Sequence, residues 1–171
     1  MPMRQLFVLR HAKSSWDDPK LEDFDRPLAP RGLKTAPRMG RELSRRGWVP
    51  DLALVSPALR TRDTWRLAAQ ELARHVPAEF AEELYEATAA AILARVREAK
   101  ATSLIVIGHN PGLQNFVLRL AGAGSDAGAF KKIEAKFPTA ALARFTVDEG
   151  WANLEFGGAR LTDFVRPKDL G

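Results

Sequence analysis

Three short stretches of the chain are apolar at nearly every position: QLFVL (residues 5–9), LALV (52–55) and SLIVI (103–107). Apolar runs without polar alternation suit strands covered on both faces, so the pattern predicts three buried strands. Between them the apolar positions change to helical spacing. Ala36, Met39 and Leu43 predict a helix that follows a turn at PRG (30–32), carries Pro37 in its first turn and ends at Gly47. SPALRTRDTWRLAAQELARH (56–75) predicts a second helix introduced by Ser56 and Pro57, the alanine-rich stretch 89–99 a third, and 113–120 a fourth. A short strand is expected within 79–84. After a glycine-rich loop, AGAGSDAGA (121–129), two late strands are expected at 142–147 and 152–156, joined by a turn at 148–150. Residues 12–30 are polar and punctuated by proline, which predicts a long loop of the kind that often carries function.

Strand alternates with helix along the whole length. That order predicts an α/β fold with a largely parallel sheet and one or two terminal strands added. No internal repeat or linker divides the chain, so residues 1–171 are expected to form a single domain.

Composition narrows the chemistry. The absence of cysteine excludes disulfides, thiolate zinc sites and cysteine nucleophiles. The opening run MPMRQLFVL is too short for a signal peptide, and no stretch approaches the ~18 apolar residues of a spanning helix. A cytoplasmic protein with no membrane partner is expected. The net charge of +5, with arginine outnumbering lysine, suits bidentate recognition of phosphate or carboxylate. Nucleic acid is not the expected partner, because the arginines are scattered singly or in pairs such as Arg45–Arg46 and form no basic run.

In open α/β sheets ligands bind beyond the carboxyl ends of the strands. Three predicted strands end in reactive residues: the first in Arg10 and His11, the second in Ser56 with Arg60 one turn on, the third in Gly108, His109 and Asn110. If these strands are neighbours, two histidines and two arginines converge on one pocket. Guanidinium forks suit a tetrahedral oxyanion, an imidazole is a competent nucleophile, and helix N-termini after Ser56 and His109 would add backbone donors. The constellation reads as a phosphoryl site. Taken singly, each piece has a structural reading: a surface Arg–His pair, a turn at GHNP, a solvated Arg60 paired with Asp63 or Thr64. His75, at a helix end, reads as a cap or surface residue.

RHAKSSW (10–16), DFDRPLAPRG (23–32), SPALRTRDT (56–64), LYE (84–86) and VIGHNPG (106–112), in this order, resemble the histidine phosphatase superfamily. The resemblance implies the three-layer α/β/α fold of the phosphoglycerate mutases. KFPTAAL (136–142) and FVRPKDL (164–170) are similar to segments of the small SixA-like phosphohistidine phosphatases. The pattern departs at Ala12, where the superfamily usually has glycine. A methyl group there is expected to be tolerated.

The resemblance implies that His11 attacks phosphorus and becomes a phosphohistidine, while Arg10, Arg60 and His109 hold the phosphoryl oxygens. It places Glu86 where the superfamily often keeps its general acid, with Glu82 and Glu83 as rivals. Asp17, Asp18, Asp23 and Asp25 are further candidates from the loop, although Asp25 reads more readily as a salt-bridged turn with Arg26 and Arg31. Lys13 and Ser14 are candidate phosphate contacts. No metal or other cofactor is required. The expected partner is a phosphorylated protein or a small phosphorylated molecule, with phosphate as product or inhibitor. Two readings from other classes remain: a metallohydrolase built on His11, His109 and an aspartate, which lacks an HxH or HExxH spacing, and a non-catalytic module binding a phospho-ligand or nucleic acid.

Overall fold

The computed structural model describes residues 3–170; Met1 and Pro2, which open the short N-terminal run, and Gly171 lie outside them. Strands β1 (Arg4–Arg10), β2 (Leu52–Val55), β3 (Ala78–Phe80), β4 (Ser103–Gly108), β5 (Leu142–Val147) and β6 (Arg160–Val165) form one sheet in the order β3-β2-β4-β1-β5-β6. The first four are mutually parallel, β5 is antiparallel to β1, and β6 is antiparallel to β5. The predicted apolar runs are its centre, with β1 paired on both sides.

Successive side chains on a strand point to opposite faces, and that alternation builds two cores. Leu6, Val8, Leu104 and Val106 pack with residues of α3 (Ala89–Arg97), α4 (Gly112–Leu120) and α5 (Ala127–Ala135). Phe7, Leu9, Ile105 and Ile107 pack on the other side with Met39 and Leu43 of α1 (Pro30–Arg45) and Trp65 of α2 (Leu59–Ala69). Helices on both faces of a mostly parallel sheet give the expected three-layer α/β/α architecture. Phe7 is essentially fully buried, and truncating such a side chain to alanine costs about 3–5 kcal/mol.

The differences from the sequence reading have identifiable causes. PRG is no turn: α1 starts at Pro30, so Pro37 lies well inside the helix. Gly32 is instead a packing glycine, since a Cβ there would lie 2.2 Å from the Lys13 carbonyl oxygen. Gly47 caps α1 as expected, at φ +71°, with the Trp48 N–H reaching back to the Leu43 carbonyl. α2 stops at Ala69, before the QELARH stretch, and β3 stops at Phe80, with Glu82–Leu84 forming a single 3-10 turn. The glycine-rich stretch hides the start of α5, which Asp126 caps by accepting from the Ala129 N–H at 2.8 Å. The strand expected at 152–156 is absent. Trp151 and Leu154 are buried there around a short 3-10 turn, and the last strand is Arg160–Val165. Its polar positions disguise it: Asp163 pairs across to Arg144 at 3.0 Å.

Candidate active site

The site forms because three strand ends are tied together. The His11 N–H bonds the Gly108 carbonyl, joining the end of β1 to β4, and the Ser56 N–H bonds the Ile107 carbonyl, joining β2 to β4. The Ala140 N–H spans the Arg10 and His11 carbonyls at 3.1 and 3.0 Å. The Phe137 carbonyl accepts from Arg10 Nη1 and Asn110 Nδ2, both at 3.0 Å. Adjacency in the sheet, which a single sequence does not display, is therefore what gathers Arg10, His11, Arg60 and His109.

His11 is buried, and its Nδ1 lies 2.7 Å from the Ala12 carbonyl oxygen. That contact makes Nδ1 the protonated nitrogen and leaves the lone pair on Nε2. Burial, opposed by the Ala12 contact and reinforced by the Arg10 and Arg60 charges, depresses its pKa to about 4. His109 is pushed down to about 3, first by burial and then by Arg60 and His11. Both rings are neutral at pH 7. Their centroids lie 5.4 Å apart. His109 Nε2 is 2.7 Å from Ser56 Oγ, and its buried Nδ1 has no hydrogen-bond partner among the described residues. A Ser56 hydroxyl donating to Nε2 leaves Nδ1–H as a donor.

Arg60, in the first turn of α2, is fixed by the long loop. Its Nη1 donates to the Asp23 carbonyl at 2.7 Å and its Nη2 to Asp23 Oδ2 at 3.0 Å. Tyr85 donates to the same oxygen at 2.6 Å. Burial works to raise the Asp23 carboxyl, but the bonds from Tyr85 and Arg60 outweigh it and hold the group below its ordinary range. Burial and the ionised Asp23 push the Tyr85 hydroxyl up to about 12. Asp23 is thus an ionised counterpart of Arg60. Tyr85 was not legible as a functional residue, although it is the middle residue of LYE. Arg26 pairs with Asp23 at 3.7 Å, not with Asp25, and lies 3.5 Å over the Trp16 ring, so the expected Asp25 turn is not formed.

A cleft of about 870 Å³ opens beside His109, lined by Asp23, Arg60, Glu86, Asn110 and Arg119 among others. Glu86 reaches it from a left-handed backbone position, φ 54°. Its rivals do not line this cleft: Glu83 pairs with Arg95 at 3.2 Å, and Glu82 is exposed. Asp17, Asp18 and Asp25 are also exposed and away from its lining, and so is His75. Lys13 is exposed and lines a separate hollow shared with Arg10, while the buried Ser14 bridges to Leu28 within the loop. Ala12 is fully buried at negative φ, and its N–H donates to Thr64 Oγ1 at 2.9 Å. The extra methyl is accommodated, as expected. Among the described residues no three His, Asp or Glu side chains cluster as metal ligands would, and no helix is long and apolar enough to cross a membrane.

A mostly parallel sheet that collects two histidines and two arginines at the carboxyl ends of its parallel strands suits the chemistry of phosphoryl groups. Residues 6–104 match the histidine phosphatase superfamily (branch 1), and the chain belongs to that family. An uncharacterised protein of Mycobacterium tuberculosis is 36% identical, covering 94% of this chain and 100% of its own length. A structure provisionally named phosphohistidine phosphatase SixA, from Nakamurella multipartitia, superposes with a TM-score of 0.84 at 28% identity, over 98% of each chain. A phosphoglycerate mutase of Plasmodium falciparum shares the fold at a TM-score of 0.64 and 13% identity, over 96% of this chain and 91% of that one. The protein is a hydrolase of the phosphatase type, SixA-like in architecture.

Proposed function

We propose that the chain, as a single histidine phosphatase domain, removes phosphoryl groups from phosphohistidine in proteins through a covalent intermediate on His11, without a metal. The observation that carries this reading is the neutral His11 ring, its Nδ1 held on the Ala12 carbonyl and its other nitrogen left to attack, beside two guanidiniums. The similarity to structures named for phosphohistidine phosphatases supports the substrate class.

The steps balance without an added acid. His11 Nε2 donates its lone pair to phosphorus while the bond from phosphorus to the substrate imidazole breaks. The substrate ring, already protonated on its other nitrogen, leaves neutral, and His11 keeps its Nδ1 proton. Arg10, Arg60 and His109 Nδ1–H take the charge on the three peripheral oxygens, where a loose transition state concentrates it. Water then attacks phosphorus, the bond to His11 breaks, and both water protons stay on the released phosphate. An alkyl ester differs, because its alkoxide must receive a proton. In that reaction Glu86 is the donor.

The second reading, a small-molecule phosphomonoesterase, is favoured by Glu86 lining the cleft. A turnover panel separates the two: a phosphohistidine protein, phosphoramidate and several alkyl monoesters, with rapid quenching to trap the phosphoenzyme. Preference for the N–P substrates and a base-stable, acid-labile phosphoenzyme lost in H11A are expected. A preference for alkyl esters, or an H11A protein that still forms the intermediate, overturns the proposal. A cytoplasmic location belongs to the same reading, since phosphohistidine signalling and transport proteins present that group there.

A further inference from the structure

Arg10, which does not line the cleft, lines a second hollow of about 380 Å³. Six cationic residues line it: Arg10, Lys13, Arg31, Lys136, Arg166 and Lys168. No carboxylate does. Several arginines elsewhere are ion-paired: Arg41 with Glu71, Arg74 with Asp51, Arg95 with Glu79 and Glu83, Arg97 with Glu155. Here only Arg166 has an ion-pair partner among the described residues, Asp169 at 2.9 Å. The other five have no carboxylate partner among the described residues, and Arg10 is partly desolvated as well. A concave patch of one sign of charge attracts an anion of the opposite sign.

Much of the wall comes from two segments whose side chains hold no phosphoryl oxygen. Lys136, Pro138 and Thr139 come from KFPTAAL, and Arg166, Pro167 and Lys168 from FVRPKDL. They meet only because β5 and β6 extend the sheet beyond β1. Arg10 belongs to both places: its charge acts on His11 and His109, and its side chain forms part of this wall. Whatever anion sits in the hollow therefore sits next to a phosphoryl group held at His11.

We propose that this hollow binds an acidic polypeptide segment of the substrate protein, docking carboxylates beside the phosphohistidine. The proposal rests on the phosphohistidine reading above. Exposed lysines and arginines suit carboxylates that arrive on a flexible segment, and the hollow holds no aromatic side chain on which a nucleic-acid base would stack.

The test uses two phosphohistidine peptides that differ only in flanking residues, one acidic and one neutral, with phosphoramidate as the control. The variant R31E/K136E/K168E changes exposed side chains outside the phosphoryl site, and R31Q/K136Q/K168Q serves if charge reversal impairs folding. Wild type should prefer the acidic peptide, and the variant should lose about 10- to 100-fold in kcat/KM on it, mainly through KM. Turnover of phosphoramidate should stay within about twofold, and the wild-type preference should shrink as salt screens the hollow. Equal losses on all three substrates, or no loss on the acidic peptide, overturn the docking site. Binding of the unphosphorylated acidic peptide, read by fluorescence anisotropy, keeps the two proposals separable. Weakened binding in the variant upholds the hollow even if no N–P bond is cleaved. Unchanged binding, or tighter competition by a single-stranded oligonucleotide, overturns it while leaving the phosphatase reading intact.

Discussion

The rings of His11 and His109 face each other at 5.4 Å with no carboxylate bonded to either. Burial first, and then the charges of Arg10 and Arg60, makes both resist protonation. The acid limb of kcat/KM, which reports the free enzyme, should follow His11 at about 4, far below the ordinary 6.5. A pH profile with phosphoramidate, corrected for the substrate's own titration, checks this; an acid limb near 6.5 would contradict it.

The same shift sets a stability window. The folded pKa lies below the unfolded one, so the unfolded chain takes up protons first as pH falls. Stability is intact above 6.5 and is lost between 6.5 and about 4 on account of His11. The loss from one such group is on the order of 3 kcal/mol. Urea midpoints at pH 7.5 and 5 should converge less steeply in His11→Gln than in wild type; parallel losses in the two proteins would refute the assignment.

His11→Ala should remove turnover to below about 1% of wild type, because losing the nucleophile costs several kcal/mol of barrier. Circular dichroism should show an unchanged fold. Activity persisting above that level rules out covalent catalysis at this residue.

Glu86→Gln should lower turnover of an alkyl phosphate by about 10²-fold or more and that of phosphohistidine by only a few-fold. The reason is that a departing imbalance of charge arises only with an alkoxide. Equal losses on both substrates would point to a dedicated acid and a small-molecule enzyme.

Tyr85→Phe removes one of the two hydrogen bonds that Asp23 Oδ2 accepts, the other coming from Arg60. Tyr85 is a positioning residue, so kcat/KM should fall about 3- to 10-fold with little change in thermal stability. The split between KM and kcat is informative: the loss belongs in weaker retention of vanadate or phosphate at Arg60. Unaltered inhibition by vanadate would exclude this role.

The central strands and the four converging residues were legible because buried parallel strands announce themselves as apolar runs and the sheet rule says where ligands bind. Arg10 closes β1, His11 and His109 directly follow strand ends and Arg60 lies in the helix after β2, so their meeting needed only strand order. Asp23 and Tyr85 were harder. Both belong to connections whose paths depend on tertiary contacts, and neither residue type marks a site in isolation. The last strand was obscured by its own solution to being near an edge: Arg160, Asp163 and Thr162 interrupt the apolar pattern while pairing across to β5. Glycine content hid α5, whose Asp126 cap is the stronger signal.

The crowding of like charge at the head of β1 has a consequence for the protein's life outside catalysis. Burial and then the like charge of Arg60 lower the Arg10 pKa, and His109 Nδ1 is buried without a hydrogen-bond partner among the described residues, so an anion bound there should stabilise the fold. Inorganic phosphate, if it binds there, should act as a folding aid: at a hundred times its dissociation constant stability should rise by about 2.7 kcal/mol. A cell poor in phosphate would thus hold a faster but more fragile enzyme, and one rich in phosphate a slower and longer-lived one.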